Sequence, residues 1–321
     1  MRVLVTGGAG FIGSNFIRHI LKKYPTYKII NLDKLTYAGN LENLSDIAEN
    51  KNYSFVKGDI CDKKVVEKLL PKCDCVINFA AATHVDRSIK DAADFIQTNI
   101  FGTYILLEAA RQTRLKLFLH ISTDEVYGSV EKGRSKEADP LMPNSPYSAS
   151  KAAADHLVRS YYVTYKLPVV ITRSSNNYGP YQYPEKVIPL FITNLLEGKK
   201  VPLYGDGLNK RDWIFVLDNC SAIDTVLHKG KVGEVYNIGI GNEIPNIVLT
   251  KKILEYMRMP ESCIRYVEDR LGHDRRYALN IQKTKALGWE PQYRFADGLK
   301  LTADWYERNF TWWKKLKKQS S

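Results

Sequence analysis

The sequence predicts an α/β fold, with a doubly wound parallel sheet of the Rossmann type and a smaller C-terminal α/β domain. Three observations indicate this fold. A glycine-rich turn follows an apolar strand at the N-terminus, short apolar strands then alternate with amphipathic helices, and the alternation degrades beyond about residue 175. A chain of 321 residues is long enough for two domains.

The alternating elements place functional residues at one edge of the predicted sheet. Small or polar residues follow each strand, and the carboxyl ends of parallel strands meet at a single edge, where active groups gather. We therefore expect the active groups of this chain at that edge. The strands are predicted at 2–6, 28–32, 53–56, 75–79, 117–122 and 169–173, and the helices near 63–70, 94–114 and 147–166.

The run Gly7–Gly13 joins the first strand to the first helix and carries both the G-x-G-x-x-G and the G-x-x-G-x-x-G spacing. Glycines permit a tight turn and a close approach to a pyrophosphate, and the helix N-terminus supplies free N–H donors. Asp33 ends the second strand twenty residues after Gly13, where an acid binds the ribose hydroxyls and favours NAD over NADP. The adjacent Lys34 slightly weakens that preference. The pattern predicts a dinucleotide-binding site.

Two further segments carry residues suited to proton transfer. Tyr147 and Lys151 are four residues apart, so on a helix they share a face. An ammonium beside a phenol favours the phenolate and is expected to lower the tyrosine pKa below its ordinary value of about 10. Thr123, Asp124 and Glu125 add a hydroxyl and a carboxylate pair, which tends to split into one acid and one base.

With these residues the chain resembles the extended short-chain dehydrogenase/reductase family, and within it the dTDP-glucose 4,6-dehydratases. The resemblance extends over almost the whole length. It departs from the family pattern at Ala82, where a glutamate is frequent, and at Leu271, where a proline is frequent. The segments that carry it are 7–16, 33–40, 84–89, 122–128, 147–151, 173–186, 211–213 and 272–277.

The resemblance implies a lyase that converts dTDP-glucose to dTDP-4-keto-6-deoxyglucose. Oxidation at carbon 4 is followed by elimination of water across carbons 5 and 6 and by hydride return to carbon 6. Tyr147, assisted by Lys151 and Thr123, would take the 4-hydroxyl proton, Glu125 the carbon-5 proton, and Asp124 would protonate the departing hydroxyl. A UDP-glucose 4,6-dehydratase, a 4-epimerase or decarboxylase of the same family, and a non-catalytic NAD-binding scaffold remain alternatives.

The same resemblance implies tightly bound NAD, regenerated at each turnover, and a nucleoside-diphosphate glucose as substrate. The NAD-binding domain is expected at 1–175 with a return segment at about 212–242, and the nucleotide-sugar domain at 176–211 and 243–321. The implied cofactor-binding residues are Gly7, Gly10, Phe11, Ile12, Gly13, Asp33, Lys34, Thr36, Gly39, Asp59, Ile60, Ala80, Ala81, Thr98, Tyr147, Lys151 and Asn177. The implied substrate-binding residues are Thr83, Asn176, Lys186, Pro202, Tyr204, Arg211, Asn246, Arg270 and His273.

Composition narrows the class of protein. The five cysteines show no metal-like spacing, so we expect reduced thiols and no metal site. The net charge of +12 comes without a nucleic-acid motif, and we expect neither a nucleic-acid nor a membrane partner. No signal peptide is recognised before the first strand, and a cytoplasmic location is expected.

Two expectations concern surfaces. The helices near 94–114 and 147–166 resemble the pair that forms a four-helix dimer interface in the family, which implies a homodimer. The basic, aromatic segment Trp312–Lys318 is expected to be a frayed, solvated end. Contact of this segment with an acidic surface or lipid headgroups is the alternative.

Overall fold

The computed structural model describes residues 1–319, and a seven-stranded parallel sheet forms its centre, in the order β3-β2-β1-β4-β5-β6-β10. The fold class predicted from the sequence is confirmed. All six predicted strands are present, and the return segment adds the seventh. The strands are β1 Arg2–Thr6, β2 Lys28–Asp33, β3 Tyr53–Lys57, β4 Cys75–Asn78, β5 Leu117–Thr123, β6 Val169–Ser174, β7 Asn176–Tyr178, β8 Val201–Tyr204, β9 Lys210–Phe215, β10 Val235–Ile238, β11 Glu243–Pro245 and β12 Ile264–Val267.

Helices cover both faces of the sheet, which explains why its strands are apolar throughout. Val3 and Val5 of β1 pack in one core cluster with apolar side chains of α1 and α8, and Leu4 packs in another with those of α2, α5 and α6. The helices are α1 Phe11–Lys23, α2 Lys63–Leu69, α3 Val85–Lys90, α4 Ala93–Phe95, α5 Thr103–Arg111, α6 Pro146–Tyr165, α7 Val187–Leu196, α8 Val216–Lys229, α9 Asn246–Tyr256, α10 Gln282–Lys285, α11 Phe295–Arg308 and α12 Phe310–Gln319.

The segment near 94–114, expected to be one continuous helix, is divided into two α-helices with a π-helical stretch between them. A π-helical stretch, Ile96–Gly102, separates the short α4 from α5. Within it Asn99 is buried and hydrogen-bonded to other segments, and Gly102 lies so close to Ile60 that an added Cβ would come within 2.5 Å of that side chain. No local pattern marks such a wide turn, because it depends on these distant contacts.

The C-terminal part has its own apolar core. A three-stranded sheet in the order β11-β9-β7 and a parallel pair of β8 with β12 lie there, and helices α7, α9, α11 and α12 contribute the buried side chains. Short 3-10 turns occur at Leu41–Ile47, Leu70–Lys72, Asp124–Tyr127 and Glu261–Cys263. The domain boundaries stay a prediction.

The expected frayed C-terminus is wrong for the described residues up to 319, which end in helix α12. Trp313 is fully buried, and Trp312 and Leu316 are nearly so. Their spacing places the three side chains on one side of the helix, and burying that much aromatic surface outweighs the repulsion among the lysines. Lys314 and Lys317 both pair with Glu197.

Two findings concern the predictions made from cysteine content and hydropathy. The five cysteines are free thiols in the structure, and Cys75 and Cys220 are buried. Within residues 1–319, no helix is both long enough and apolar enough to span a membrane.

Candidate active site

The catalytic residues predicted from the sequence meet at the carboxyl edge of the sheet. Thr123 ends β5 and caps the turn Asp124–Tyr127, where its Oγ1 accepts a hydrogen bond from the Glu125 amide at 3.3 Å. Tyr147 and Lys151 lie one turn apart near the start of α6, as predicted. Ser145 caps that helix, so the position of the pair is set by a defined helix start.

The two carboxylates have different surroundings. Asp124 is buried, and its Oδ1 accepts from the Thr123 hydroxyl at 3.2 Å while its Oδ2 has no partner. Burial and the neighbouring Glu125 raise the pKa of Asp124 well above its usual range, which favours its protonated form. Loss of solvent raises the pKa of Glu125 too, and Arg270, Arg211 and Lys186 act in the opposite direction. The surroundings thus favour a proton on Asp124 more strongly than on Glu125.

The structure differs from the prediction at Tyr147 and Lys151. Burial, followed by the neighbouring carboxyl groups of Glu125 and Asp124, raises the pKa of Tyr147, which favours the phenol form. Lys151 is buried and donates from Nζ to the Ile121 carbonyl at 2.7 Å. Burial lowers the pKa of Lys151 to about 8. In this structure burial and the two carboxyl groups therefore outweigh any effect of the lysine on the pKa of Tyr147.

The glycine loop forms the cradle that the sequence predicts. Gly7 has a φ of +69°, and an added Cβ would lie 2.6 Å from the Ala80 amide nitrogen. At Gly13 an added Cβ would lie 2.4 Å from the Gly7 carbonyl oxygen. Gly10 precedes α1 and gives it no side-chain cap, so the first N–H groups of that helix, including those of Phe11 and Ile12, stay available to a pyrophosphate.

The remaining cofactor positions follow the ends of neighbouring elements. Both oxygens of Asp33 accept backbone N–H groups, from Ala9 at 2.9 Å and from Leu35 at 2.8 Å. Lys34 pairs with Asp59 at 2.7 Å, so its charge is already compensated. Thr36 and Gly39 follow β2, Ile60 follows β3, Ala80 and Ala81 follow β4, Thr98 lies in the π-helical stretch, and Asn177 lies in β7.

Three cations from separate segments surround Glu125. Arg211, on β9, donates to the Asp274 carbonyl at 2.8 Å and stacks over the Tyr277 ring at 4.2 Å. Arg270 lies 3.7 Å from Asp86, and Lys186 precedes α7. A guanidinium can engage two oxygens at once, and two arginines beside a lysine suit a diphosphate.

The other predicted substrate residues lie on several separate elements, and their role in substrate binding stays a prediction. The Thr83 carbonyl accepts from the Tyr37 hydroxyl at 2.6 Å. His273 bonds Asp269 at 2.5 Å and meets the Tyr204 ring edge-on at 6.3 Å. Pro202 lies two residues before Tyr204 on β8 and so faces the same side of that strand, while Asn176 lies on β7 and Asn246 begins α9.

Unpaired buried polar atoms mark where a ligand would bind. A buried polar atom without a partner is costly, and such atoms are rare in native proteins. Several of the predicted binding residues carry one, which fits a site that polar groups of a dinucleotide and a sugar nucleotide would complete. Within the described part of the chain they include Asp124 Oδ2, Asn176 Oδ1, Asn177 Oδ1, Asn246 Oδ1 and Arg270 Nε.

Comparison with known proteins decides the family. The model of the GDP-mannose 4,6 dehydratase family matches residues 4–302. The chain belongs to this family. It is 54% identical to a low-salt glycan biosynthesis protein of Haloferax volcanii, over 95% of this chain and 98% of the relative. It is 52% identical to a dTDP-glucose 4,6-dehydratase of Streptomyces niveus, over 99% and 96%.

Solved structures agree with the sequence comparison. A dTDP-glucose 4,6-dehydratase of Streptomyces venezuelae, solved with NAD and TYD bound, has a TM-score of 0.97 and 50% identity. The match covers 98% of this chain and 100% of that one. The resemblance predicted from the sequence is confirmed.

This member of the dehydratase family also uses a residue that sequence reasoning missed. Asn99 accepts from the Ala82 amide at 2.8 Å and donates to the Ala82 carbonyl at 3.1 Å and to Ser150 Oγ at 2.8 Å. It ties the loop after β4 to the helix of Tyr147. In the sequence, only its position next to Thr98, a predicted cofactor-binding residue, could have drawn attention to Asn99. Ala82 departs from the family pattern, but its backbone N–H and C=O groups are both hydrogen-bonded to Asn99.

The second departure is Leu271, which is 77% exposed. Gly272 beside it has a φ of +62°, and an added Cβ would lie 3.0 Å from the Asn144 carbonyl. The loop that carries Arg270 and His273 thus approaches the Asn144 carbonyl closely at Gly272, while the side chain at 271 faces solvent.

Proposed function

We propose that this chain is an NAD-dependent dTDP-glucose 4,6-dehydratase that forms dTDP-4-keto-6-deoxyglucose. The observation that carries the proposal is the adjacent Asp124–Glu125 pair beside Tyr147, in which burial strongly raises the pKa of Asp124 and three cations oppose the effect of burial on Glu125. Elimination across carbons 5 and 6 needs one acid and one base at that place. A 4-epimerase or a decarboxylase of the same fold has no use for such a pair.

The residues present fit NAD. The glycine cradle and the uncapped N-terminus of α1 suit a pyrophosphate, and Asp33 suits ribose hydroxyls rather than a 2′-phosphate. Asn177 Oδ1 lies buried without a partner in the structure. When bound, NAD would accept the hydride from carbon 4 of the sugar and return it to carbon 6. Related dehydratase structures that contain NAD support the assignment.

Side chains of this protein would carry out the proton transfers. Tyr147 would have to be ionised in the complex with NAD and substrate, and its phenolate would then take the proton of the 4-hydroxyl, with Thr123 oriented toward the same oxygen. The carbon-5 proton would go to Glu125, whose raised pKa makes it a better base than an exposed glutamate, and would return to carbon 5 when the hydride reaches carbon 6. Asp124, whose protonated form is favoured by its raised pKa, would supply the proton to the departing 6-hydroxyl.

The substrate follows from the same site. Arg211, Arg270 and Lys186 would hold the diphosphate, and their charges make Glu125 easier to ionise when the substrate is absent. Thymidine and uridine differ by one methyl group, worth roughly 1 kcal/mol in a pocket, so the geometry alone decides little between them. The similarity to several dTDP-glucose 4,6-dehydratases favours the thymidine nucleotide.

The proposal extends to the assembly and location. Exposed apolar side chains, including Ile96, Phe101, Tyr104, Val163 and Tyr165, lie along the π-helical stretch, α5 and α6. This is where the family resemblance expects a four-helix dimer interface, and a second copy of the chain would cover them. We infer a homodimer in the cytoplasm.

The deciding experiment incubates the purified protein separately with dTDP-glucose and UDP-glucose, without added NAD. Product is followed by mass and by the absorbance of the 4-keto sugar in alkali. Loss of one water from the dTDP sugar alone would support the reaction, the retained cofactor and the base preference together. Faster turnover of the UDP sugar would keep the mechanism and change the substrate. Release of an epimer without 4-keto absorbance would overturn the proposal.

A further inference from the structure

The C-terminal helix α12 reaches back to the segment that follows β2. The Trp312 indole N–H donates to Asn43 Oδ1 at 3.0 Å, and Lys315 pairs with Glu42 at 2.9 Å. Trp312 itself is held by aromatic neighbours, with the Trp305 ring at 4.9 Å and the Tyr181 ring at 6.1 Å. Neither the chemistry nor substrate binding proposed above uses this contact.

Asn43 is a connector with every polar group occupied. It is 1% exposed, and its Nδ2 donates to the Ala9 carbonyl at 2.9 Å while its Oδ1 accepts from Trp312. Its backbone carbonyl accepts from Arg18 of α1. A carboxamide can donate from its NH2 group to one partner while its oxygen accepts from another.

Ala9 is the residue through which the connection reaches the glycine loop. Its carbonyl accepts from Asn43, and its amide donates to Asp33 Oδ2 at 2.9 Å. The peptide groups around Ala9 are thereby held from both sides, immediately before the helix N-terminus that would face the pyrophosphate. The hydrogen bonds Trp312–Asn43–Ala9–Asp33 form one continuous buried chain, which we call the α12 chain.

Polar and apolar contacts both join α12 to the segment that follows β2. Tyr37 and Ala38 pack against the apolar cluster that contains Trp312, and a cleft of about 420 Å³ lies beside them, lined by Trp312, Lys315 and Leu316 among others. The Lys315–Glu42 pair is exposed on both sides, and such pairs contribute little. The buried Trp312–Asn43 hydrogen bond is therefore the main polar link from α12 to the loop.

We propose that α12 sets the position of the dinucleotide-binding loop through the α12 chain and thereby slows release of the cofactor. Trp312 and Asn43 are then positioning residues for NAD, which they do not touch. This inference rests on the proposed function, since it assumes that the glycine loop holds NAD. It also gives the basic, aromatic end of the chain a role within the molecule.

The test compares two matched variants of the full-length protein, Trp312→Phe and Trp313→Phe. Both remove an indole N–H from a buried side chain of the same helix, but Trp313 donates to the Tyr306 carbonyl of α11 at 2.8 Å instead. Exchange of bound NAD for isotope-labelled NAD is followed by mass, and the melting temperature is measured with and without added NAD.

We expect Trp312→Phe to exchange NAD roughly fivefold faster than the wild type, the factor for one lost buried hydrogen bond. Trp313→Phe should exchange at the wild-type rate. The rise in melting temperature on adding NAD should shrink in Trp312→Phe alone, which a merely structural role would not produce.

A double variant tests the same connection in a second way. In an Asn43→Ala background the hydrogen bonds of the α12 chain are already interrupted, so adding Trp312→Phe should change the rate of NAD exchange no further. Equal rates in Trp312→Phe, Trp313→Phe and the wild type, or equal acceleration in both variants, would overturn the inference. Absence of NAD binding by the wild type would instead overturn the proposed function, and this inference with it.

Discussion

Asp124 and Glu125 are adjacent in sequence, yet their surroundings separate them chemically. Asp124 has lost solvent and lies beside a second carboxyl group, so its protonated form is favoured, whereas Glu125 faces three cations that oppose the effect of burial. The proposed division of acid and base between them therefore depends on the neighbours of each side chain and not on the residue types alone.

Glu125→Gln should separate the two halves of the reaction. An amide of the same shape cannot remove the carbon-5 proton, so water loss should fall about 10²–10⁴-fold while oxidation at carbon 4 continues. Reduced cofactor would then accumulate, which its absorbance reports, and mass spectrometry would show no dehydrated sugar. Glu290→Gln, at an exposed glutamate, is the control. Undiminished water loss in Glu125→Gln would show that another group is the base.

His84 makes the protein sensitive to acid. It has a φ of +106° before α3, and burial, with help from nearby cations such as Lys186, lowers its pKa to about 3. Between pH 6.5, near the ordinary pKa of an unfolded histidine, and about 3, the unfolded chain binds a proton that the folded chain does not. His84 therefore contributes a loss of stability as pH falls through that window, and no change above it.

His84→Asn should reduce this acid sensitivity. The slope of the unfolding free energy with pH between about 4 and 6 should decrease by at most about 1.4 kcal/mol per pH unit, the value for one proton. Denaturant unfolding at several pH values measures it. An identical slope in the variant and the wild type would mean that other groups, such as the fully buried His120, determine the acid response.

At the scale of an element, helix α6 owes its start to a capping box. Ser145 Oγ accepts from the Ser148 amide at 3.1 Å, and Ser148 Oγ accepts from the Ser145 amide at 3.0 Å. Because Tyr147 lies in the first turn, fraying of this helix end would move the catalytic phenol. The cap thus connects the stability of α6 with the geometry of the site.

Ser145→Ala should cost about 1 kcal/mol of stability and lower activity as well. Ser145→Asp keeps a capping acceptor and should retain most of both. Ser160→Ala is the matched control, because that hydroxyl, on the same helix, donates only to the Leu157 carbonyl at 2.8 Å. Thermal unfolding and steady-state rates of the three variants measure the effect. Equal losses in Ser145→Ala and Ser160→Ala would contradict a role for the cap.

At the scale of the whole molecule, the proposed dimer would bury exposed apolar side chains of α5 and α6. Val163 is 48% exposed on α6, and Leu301 is 44% exposed on α11. If the proposed dimer forms through α5 and α6, Val163→Asp places a charge in the interface and should convert dimers to monomers. Leu301→Asp should leave the assembly unchanged. Sedimentation velocity at micromolar concentration distinguishes these outcomes, and a dimeric Val163→Asp protein would place the interface elsewhere.

Several features of this protein were determined by the sequence by itself. The glycine loop, Asp33, the turn at Thr123 and the i, i+4 pair of Tyr147 and Lys151 were found because each depends on residues that are close along the chain. The alternation of strand and helix likewise follows from local apolar periodicity, and it predicted six of the seven strands of the central sheet.

Only the tertiary structure decided the rest, because those features join residues that are far apart in sequence. The Lys151 ammonium turns to the Ile121 carbonyl, and Arg211, Arg270 and Lys186 converge on Glu125 from three separate segments. The burial of Trp312 and Trp313 depends on the groove that the folded chain offers, since lysines alone would keep that segment in water. Electrostatic environment and burial are properties of packing, and local patterns do not contain them.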